Sequence, residues 1–128
     1  MKKEKIHLEF LLNETVKNIL WSAISTVAGL ENWFADKIIS DDKTVTFQWG
    51  REEQRTADIT AVRAYSFIRF HWQDEEDPHY YFELKMNQDE LTGSFTLEIT
   101  DFATPDEADD LKGLWTSQVA KMRRVLGF

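Results

Sequence analysis

Residues 104–127 read TPDEADDLKGLWTSQVAKMRRVLG. Ala108, Leu111, Trp115, Val119, Met122 and Leu126 recur at spacings of three and four, which draws one apolar stripe along a helix. Thr104, Pro105 and Glu107 fall at the N-cap, N1 and N3 positions of a capping box. Asp106, Glu107, Asp109 and Asp110 crowd the first turns and Lys121, Arg123 and Arg124 the last, as the helix dipole favours. Gly127 ends the segment. Twenty residues at ~1.5 Å each make roughly 30 Å of helix. A nine-residue strand at ~3.3 Å each is of similar length. One long helix with one apolar side can therefore lie across a whole sheet, and the preceding residues must supply that sheet.

They read that way. Phe95, Leu97 and Ile99 alternate with Thr96, Glu98 and Thr100, and Tyr80, Phe82, Leu84 and Met86 with Tyr81, Glu83 and Lys85. Ile68, Phe70 and Trp72 form a third alternating face, Ala57, Ile59 and Ala61 a fourth, and Val45, Phe47 and Trp49 a fifth. A short strand over 37–40 precedes the turn Asp41-Asp42-Lys43. The loops between these runs are too short for crossover helices, so the sheet is antiparallel. At the start of the chain Ile6, Leu8, Phe10 and Leu12 share one parity, with His7 and Glu9 on the other. Asn13 is placed to cap a short helix over 14–24, carrying Val16, Leu20, Ala23 and Ile24. Ser25 or Thr26 restarts a second short helix through Leu30, Trp33 and Phe34. The whole reads as a single α+β domain over 1–128.

Composition narrows the function. The 128 residues contain no cysteine, which removes disulfides, thiolate nucleophiles, cysteine-ligated zinc and iron–sulfur clusters. A formal charge of −8 is the wrong sign for gripping phosphate backbones, so nucleic acid is not an expected partner. The basic start Met1-Lys2-Lys3 is followed by an apolar run that His7, Glu9 and Asn13 interrupt, too short for a secretory leader or a membrane span. A cytoplasmic location is the expectation. Neither GxxxxGK[ST], GxGxxG nor GxSxG occurs.

The stretches SAISTVAGLENWFAD (22–36), FIRFHWQDE (67–75), YYFELKMN (80–87), SFTLEITDF (94–102) and LKGLWTSQVAKMRRVLG (111–127) resemble those of the START-like, or helix-grip, superfamily. Within it they look most like homologues of the chaperone ATPase activator and bacterial START-like proteins. The Trp33-Phe34 pair is the most diagnostic element. The resemblance implies a strongly bent antiparallel sheet of six to seven strands, two short helices after the first strand, and the sheet wrapped around the C-terminal helix. It also implies a cavity between sheet and helix that takes apolar or aromatic small molecules in many relatives. Other members are cyclases, hydrolases, lipid carriers or protein-binding modules, so the fold alone does not assign a function.

Seventeen aromatic residues, five of them tryptophan, support such a cavity. On the sheet and its approach, Trp33, Phe47, Trp49, Phe70, Trp72, Phe82 and Phe95 are the expected walls, and Trp115, Val119 and Met122 close it from the helix. The alternative is a core in which these rings fill the space themselves. Arg69, inside FIRFHW, falls on the outer parity, opposite Glu83 or Glu98. His7 and His71 fall on outer parities as well, and His79 follows the acidic loop 74–77, which lacks the spacing of a calcium site. Glu83 and Glu98 make a carboxylate pair on the same outer parity. These residues lead us to expect no catalytic cluster, no metal and no cofactor. Between 74 and 110 there are thirteen acids and one base, Lys85, a face suited to a basic protein partner. The first strand is an expected sheet edge, open to dimerisation, so the chain is a monomer or a homodimer.

Overall fold

The computed structural model describes residues 2–13 and 15–128; Met1, and Glu14 at the start of the helix expected over 14–24, lie outside the described residues. Seven strands form one antiparallel sheet in the order β1-β7-β6-β5-β4-β3-β2. They are β1 Glu4–Leu11, β2 Lys37–Asp41, β3 Thr44–Trp49, β4 Glu53–Arg63, β5 Phe67–Trp72, β6 Phe82–Gln88 and β7 Phe95–Ala103. Helices α1 (Lys17–Ser25) and α2 (Val27–Leu30) follow β1, and α3 (Ala108–Leu126) ends the chain. This is the helix-grip arrangement that the alternating runs and the final helix imply. As expected, β1 is an edge strand; the other edge is β2.

The alternation sets the core. Val45, Phe47, Ala57, Ile68, Phe70, Phe82, Leu84, Met86, Phe95, Leu97 and Ile99 are buried on the inner face, against Trp115, Val119 and Met122 of α3. Packing there is aromatic. Phe70 and Phe82 stack at 4.7 Å between centroids, and Phe34 meets Phe47 edge-on at 4.9 Å and stacks on Trp115 at 5.4 Å. Trp33 is fully buried beneath α1 and donates its indole N–H to the Ala23 carbonyl at 2.9 Å. Thr26 caps α2, its hydroxyl accepting from the Gly29 N–H at 2.9 Å.

Four local readings need correction. The second short helix stops at Leu30, and Trp33 and Phe34 lie in the turn that follows it. Asn13 does not cap the first helix. Leu12 N–H still donates to the Phe95 carbonyl at 3.0 Å, extending the β1–β7 ladder, so the chain leaves the sheet late. The helix starts at Lys17 behind an extended Val16 whose side chain is exposed. The capping box at Thr104 also does not form. Ala103 is still paired with Glu4, and the Glu107 N–H donates to the Thr104 carbonyl at 3.0 Å. That turn swings the chain off the sheet, and α3 begins three residues later than the capping box places it. Finally, Ala61 does not share the apolar face of Ala57 and Ile59. A bulge between Ile59 and Ala61 reverses the parity, setting Ala61 opposite Arg69 and Val62 opposite Ile68. The C-terminal end agrees with the sequence: Gly127 adopts φ 77° and its N–H reaches the Arg123 carbonyl.

Candidate functional site

The inner face is not filled to its end. Trp49 is the last residue of β3 and Trp72 the last of β5, while Arg55 lies near the start of β4 on the parity of Ala57. Above them run Leu111, Leu114, Trp115 and Gln118 over the first three turns of α3, and Phe34 closes one side from the segment after α2. Together with Glu53 and Asp101 these residues border a cleft of about 270 Å³. Trp49 and Trp72 are half-buried, with centroids 6.3 Å apart. The Arg55 guanidinium lies 4.0 Å over the Trp72 ring and forks onto Asp74 at 2.6 and 2.9 Å. The Phe34 carbonyl accepts from both Trp49 Nε1 at 2.7 Å and Gln118 Nε2 at 3.0 Å, which fixes two walls to each other. A second cleft of about 190 Å³ shares Arg55, Trp72, Asp101 and Leu111 and continues past Tyr80 and Tyr81 to Lys3.

Asp101 stands where the two clefts meet. One carboxylate oxygen accepts from Trp115 Nε1 at 2.9 Å, the other from the Phe102 N–H at 2.7 Å. Burial pushes its carboxyl up from 3.8 to about 6, against the opposing pull of the Trp115 and Phe102 hydrogen bonds. A carboxyl that changes charge just below neutrality, inside an aromatic cleft, can orient a hydrogen-bond donor or a cation.

Of the ten residues expected to line a cavity, Trp49, Trp72 and Trp115 border the cleft. Trp33, Phe47, Phe70, Phe82, Phe95, Val119 and Met122 do not: they pack against one another in the core. Phe47 and Phe82 separate the core from the cleft, each touching Trp72, at 5.6 and 4.9 Å between centroids. Arg69 lies on the outer face, as its parity requires, 3.1 Å from Glu83 and 4.1 Å over Tyr81. Glu83 faces Thr100, and Glu98 faces Lys85, so the two glutamates are not directly opposed. His71 sits between the carbonyls of Tyr80 and Glu75, at 2.7 and 3.0 Å. The acidic loop is held down by the ion pairs of Arg55 with Asp74 and Lys3 with Glu75, and within it His79 hydrogen-bonds to Asp77. These contacts, hydrogen bonds first, keep Asp74, Glu75 and Asp77 below the usual carboxylate range.

Phe34, Arg55, Asp101, Leu111, Leu114 and Gln118 are absent from the sequence-based cavity set. Two of them carried a visible signal. Asp101 continues the inward series Phe95, Leu97 and Ile99, and Arg55 begins the inward series Ala57 and Ile59. A charged residue on an apolar parity was the mark.

The family model for a START-like superfamily domain matches residues 1–128. Among solved structures, the solution structure of BfR322 from Bacteroides fragilis is 71% identical, with a TM-score of 0.69, and the match covers 100% of this chain and 94% of that one. DynU16, a putative protein in the dynemicin biosynthetic locus, superposes with a TM-score of 0.78 at 15% identity, over 96% of this chain and 47% of that one. The Aha1 dimer from Colwellia psychrerythraea superposes with a TM-score of 0.71 at 12% identity, over 95% and 96%. The last two likenesses speak for the fold alone. No curated protein matches the sequence. Among the described residues no helix is long and apolar enough to cross a membrane.

Proposed function

The chain belongs to the START-like superfamily, and from that premise we propose that it binds an apolar, aromatic-bearing small molecule between the sheet and α3 without converting it. The observation that carries this reading is the cleft walled by Trp49, Trp72, Trp115, Leu111 and Leu114, with Asp101 as its buried acceptor. Its volume of about 270 Å³ lies just below the roughly 300–1,000 Å³ of small-molecule sites. That favours a compact ligand, or one whose tail remains outside. A ring would lie against the tilted pair Trp49 and Trp72, and a donor group on it would meet Asp101. Arg55, already committed to Asp74 and Trp72, serves as wall more than as anion receptor. A cytoplasmic location and a single-domain organisation belong to the same reading, the first resting on the cysteine-free composition.

Titration with a panel of planar aromatic and fatty ligands should change tryptophan fluorescence, since three of the five tryptophans border the cleft. Leu114→Glu places a charge at the mouth from a position that is 56% exposed, so the fold is retained. It should weaken binding about tenfold or more, the equivalent of ~1.4 kcal/mol. A panel that leaves the fluorescence of the wild-type protein unchanged at every concentration ends this reading.

A second reading, an interaction module of the chaperone-activator kind, is supported by the acidic run between 74 and 110 and by the fold likeness to the Aha1 dimer. It expects capture of a basic partner that fails at high salt and is indifferent to Leu114→Glu. A cyclase- or hydrolase-like role would need a base or nucleophile beside Asp101. Arg55 and Trp115 are its neighbours there.

A further inference from the structure

The outer face of the sheet, remote from the cleft, brings together side chains that the chain keeps far apart. Antiparallel pairing sets Glu9 of β1 directly opposite Glu98 of β7, and His7 opposite Thr100. Like charges facing across strands destabilise a sheet unless something neutralises them. Lys85 of β6 faces Glu98 across the ladder, but among the described residues no lysine or arginine forms an ion pair with either carboxylate. The group between them is His7, whose Nε2 lies 3.3 Å from Glu9 Oε1 and 3.2 Å from Glu98 Oε1. All three donor atoms fall within 4.8 Å of one another.

Those distances carry chemical information. Donors at about 2.0–2.1 Å from a tetrahedral ion stand about 3.3 Å from each other. The other oxygen of Glu98, Oε2, is buried with no hydrogen-bond partner among the described residues, a state that a carboxylate tolerates poorly and that the facing Lys85 relieves by no hydrogen bond. On the far side of the imidazole, His7 Nδ1 is 3.4 Å from the hydroxyl of the buried Thr100. A proton on Nδ1 directed there leaves the Nε2 lone pair free, the arrangement that orients a metal-binding histidine.

We propose that His7, Glu9 and Glu98 bind a divalent transition-metal cation of the Zn²⁺ type. Water takes the remaining position on the solvent side, where His7 and Glu9 are exposed. One imidazole and two carboxylates are a donor set of borderline hardness, suited to zinc and its first-row neighbours. The sequence pointed to no metal because His7 and Glu9 look there like ordinary outward residues of the first strand. Glu98 becomes their neighbour only through the pairing of β1 with β7. The ion would clamp the edge strand β1 to the sheet.

Isothermal titration of the full chain with ZnCl₂ near neutral pH should give saturable binding of one ion per chain, and the melting temperature should rise with free zinc. His7→Ala and Glu9→Gln, both at exposed positions, should each weaken binding at least about tenfold, and Thr100→Val by about the same factor through loss of orientation. His79→Ala, which removes the separate His79–Asp77 pair, should leave affinity unchanged. An absence of saturable heat in the wild type overturns the proposal. So does His7→Ala with wild-type affinity, or loss of binding in His79→Ala alone. In the first case His7 is simply a hydrogen-bonding bridge between the two glutamates.

Discussion

Gly29→Ala should leave the chain largely unfolded, while Gly113→Ala should raise its melting temperature. Both glycines lie in helices, so helix propensity alone would make both substitutions favourable by up to ~1 kcal/mol. Their surroundings differ. A Cβ on Gly29 would stand 1.9 Å from the Ser22 carbonyl oxygen and 2.8 Å from the Ala23 Cα, because α2 crosses hard against the end of α1. The obstructing atoms are backbone, and the same carbonyl already accepts from the Thr26 hydroxyl at 2.7 Å, so relief requires the two helices to part. That separation would disturb Ala23, Ile24, Leu30 and Trp33, all buried. The cost should exceed the roughly 1–3 kcal/mol of ordinary overpacking, a large share of the ~5–15 kcal/mol that holds a domain together. Around Gly113 nothing lies within 4 Å of a new Cβ, and the substitution only stiffens an exposed turn. Far-UV circular dichroism with thermal melts of the two variants checks the pair. A cooperative Gly29→Ala variant melting near the wild type would mean that the α1–α2 contact is looser than described.

Asp101→Asn should remove a pH dependence of about 3 kcal/mol. In the folded protein burial raises the Asp101 carboxyl from 3.8 to about 6, so the native state holds that proton more tightly than the unfolded chain. Below the unfolded value both states carry it and there is no penalty. As pH rises from about 4 to about 6 the unfolded chain gives it up first, and the native state loses up to ~1.4 kcal/mol of stability for each pH unit climbed. Above about 6 the penalty is complete and constant. The exposed carboxylates Asp74, Asp77 and Asp89, with Glu75, are held low, so their contribution runs the other way and fades as pH falls. It is common to both proteins and cancels in the difference. An asparagine offers one acceptor where Trp115 and Phe102 require two, which sets a fixed offset without altering the slope. Urea denaturation of both proteins across this range should show the variant gaining steadily on the wild type between about pH 4 and 6. A parallel pair of curves would refute it. The same titration bears on the cleft: a donor or cationic ligand should bind more tightly once Asp101 is ionised.

Much of the fold was legible because each strand pairs with a neighbour reached through a short loop, and β1 alone closes on the distant β7. Ile68, Phe70 and Trp72 announced an inner face, and Arg69 an outer one, from parity alone. Parity also held a signal that the sequence reading did not use: Asp101 and Arg55 stand as charges on inward positions and border the cleft. What parity could not do was separate Trp49 and Trp72 from Phe47 and Phe70. All four point to the same side, and only their distance along the strand from the point where α3 settles decides which rings are covered. Leu114 and Gln118 lie off the apolar stripe of α3 and enter the site because of where the helix rests.

By itself, then, the order of residues determined the strands, the long amphipathic helix and the face that side chains take wherever no bulge intervenes, because period-two and period-3.6 patterns express local geometry along one segment. The tertiary structure decided where apolar packing stops and a cleft opens, which glycine has no room for a methyl group, and that His7, Glu9 and Glu98 share one patch of surface. Each of these depends on distances between segments remote in sequence, and those distances are set by how the sheet and α3 close on each other.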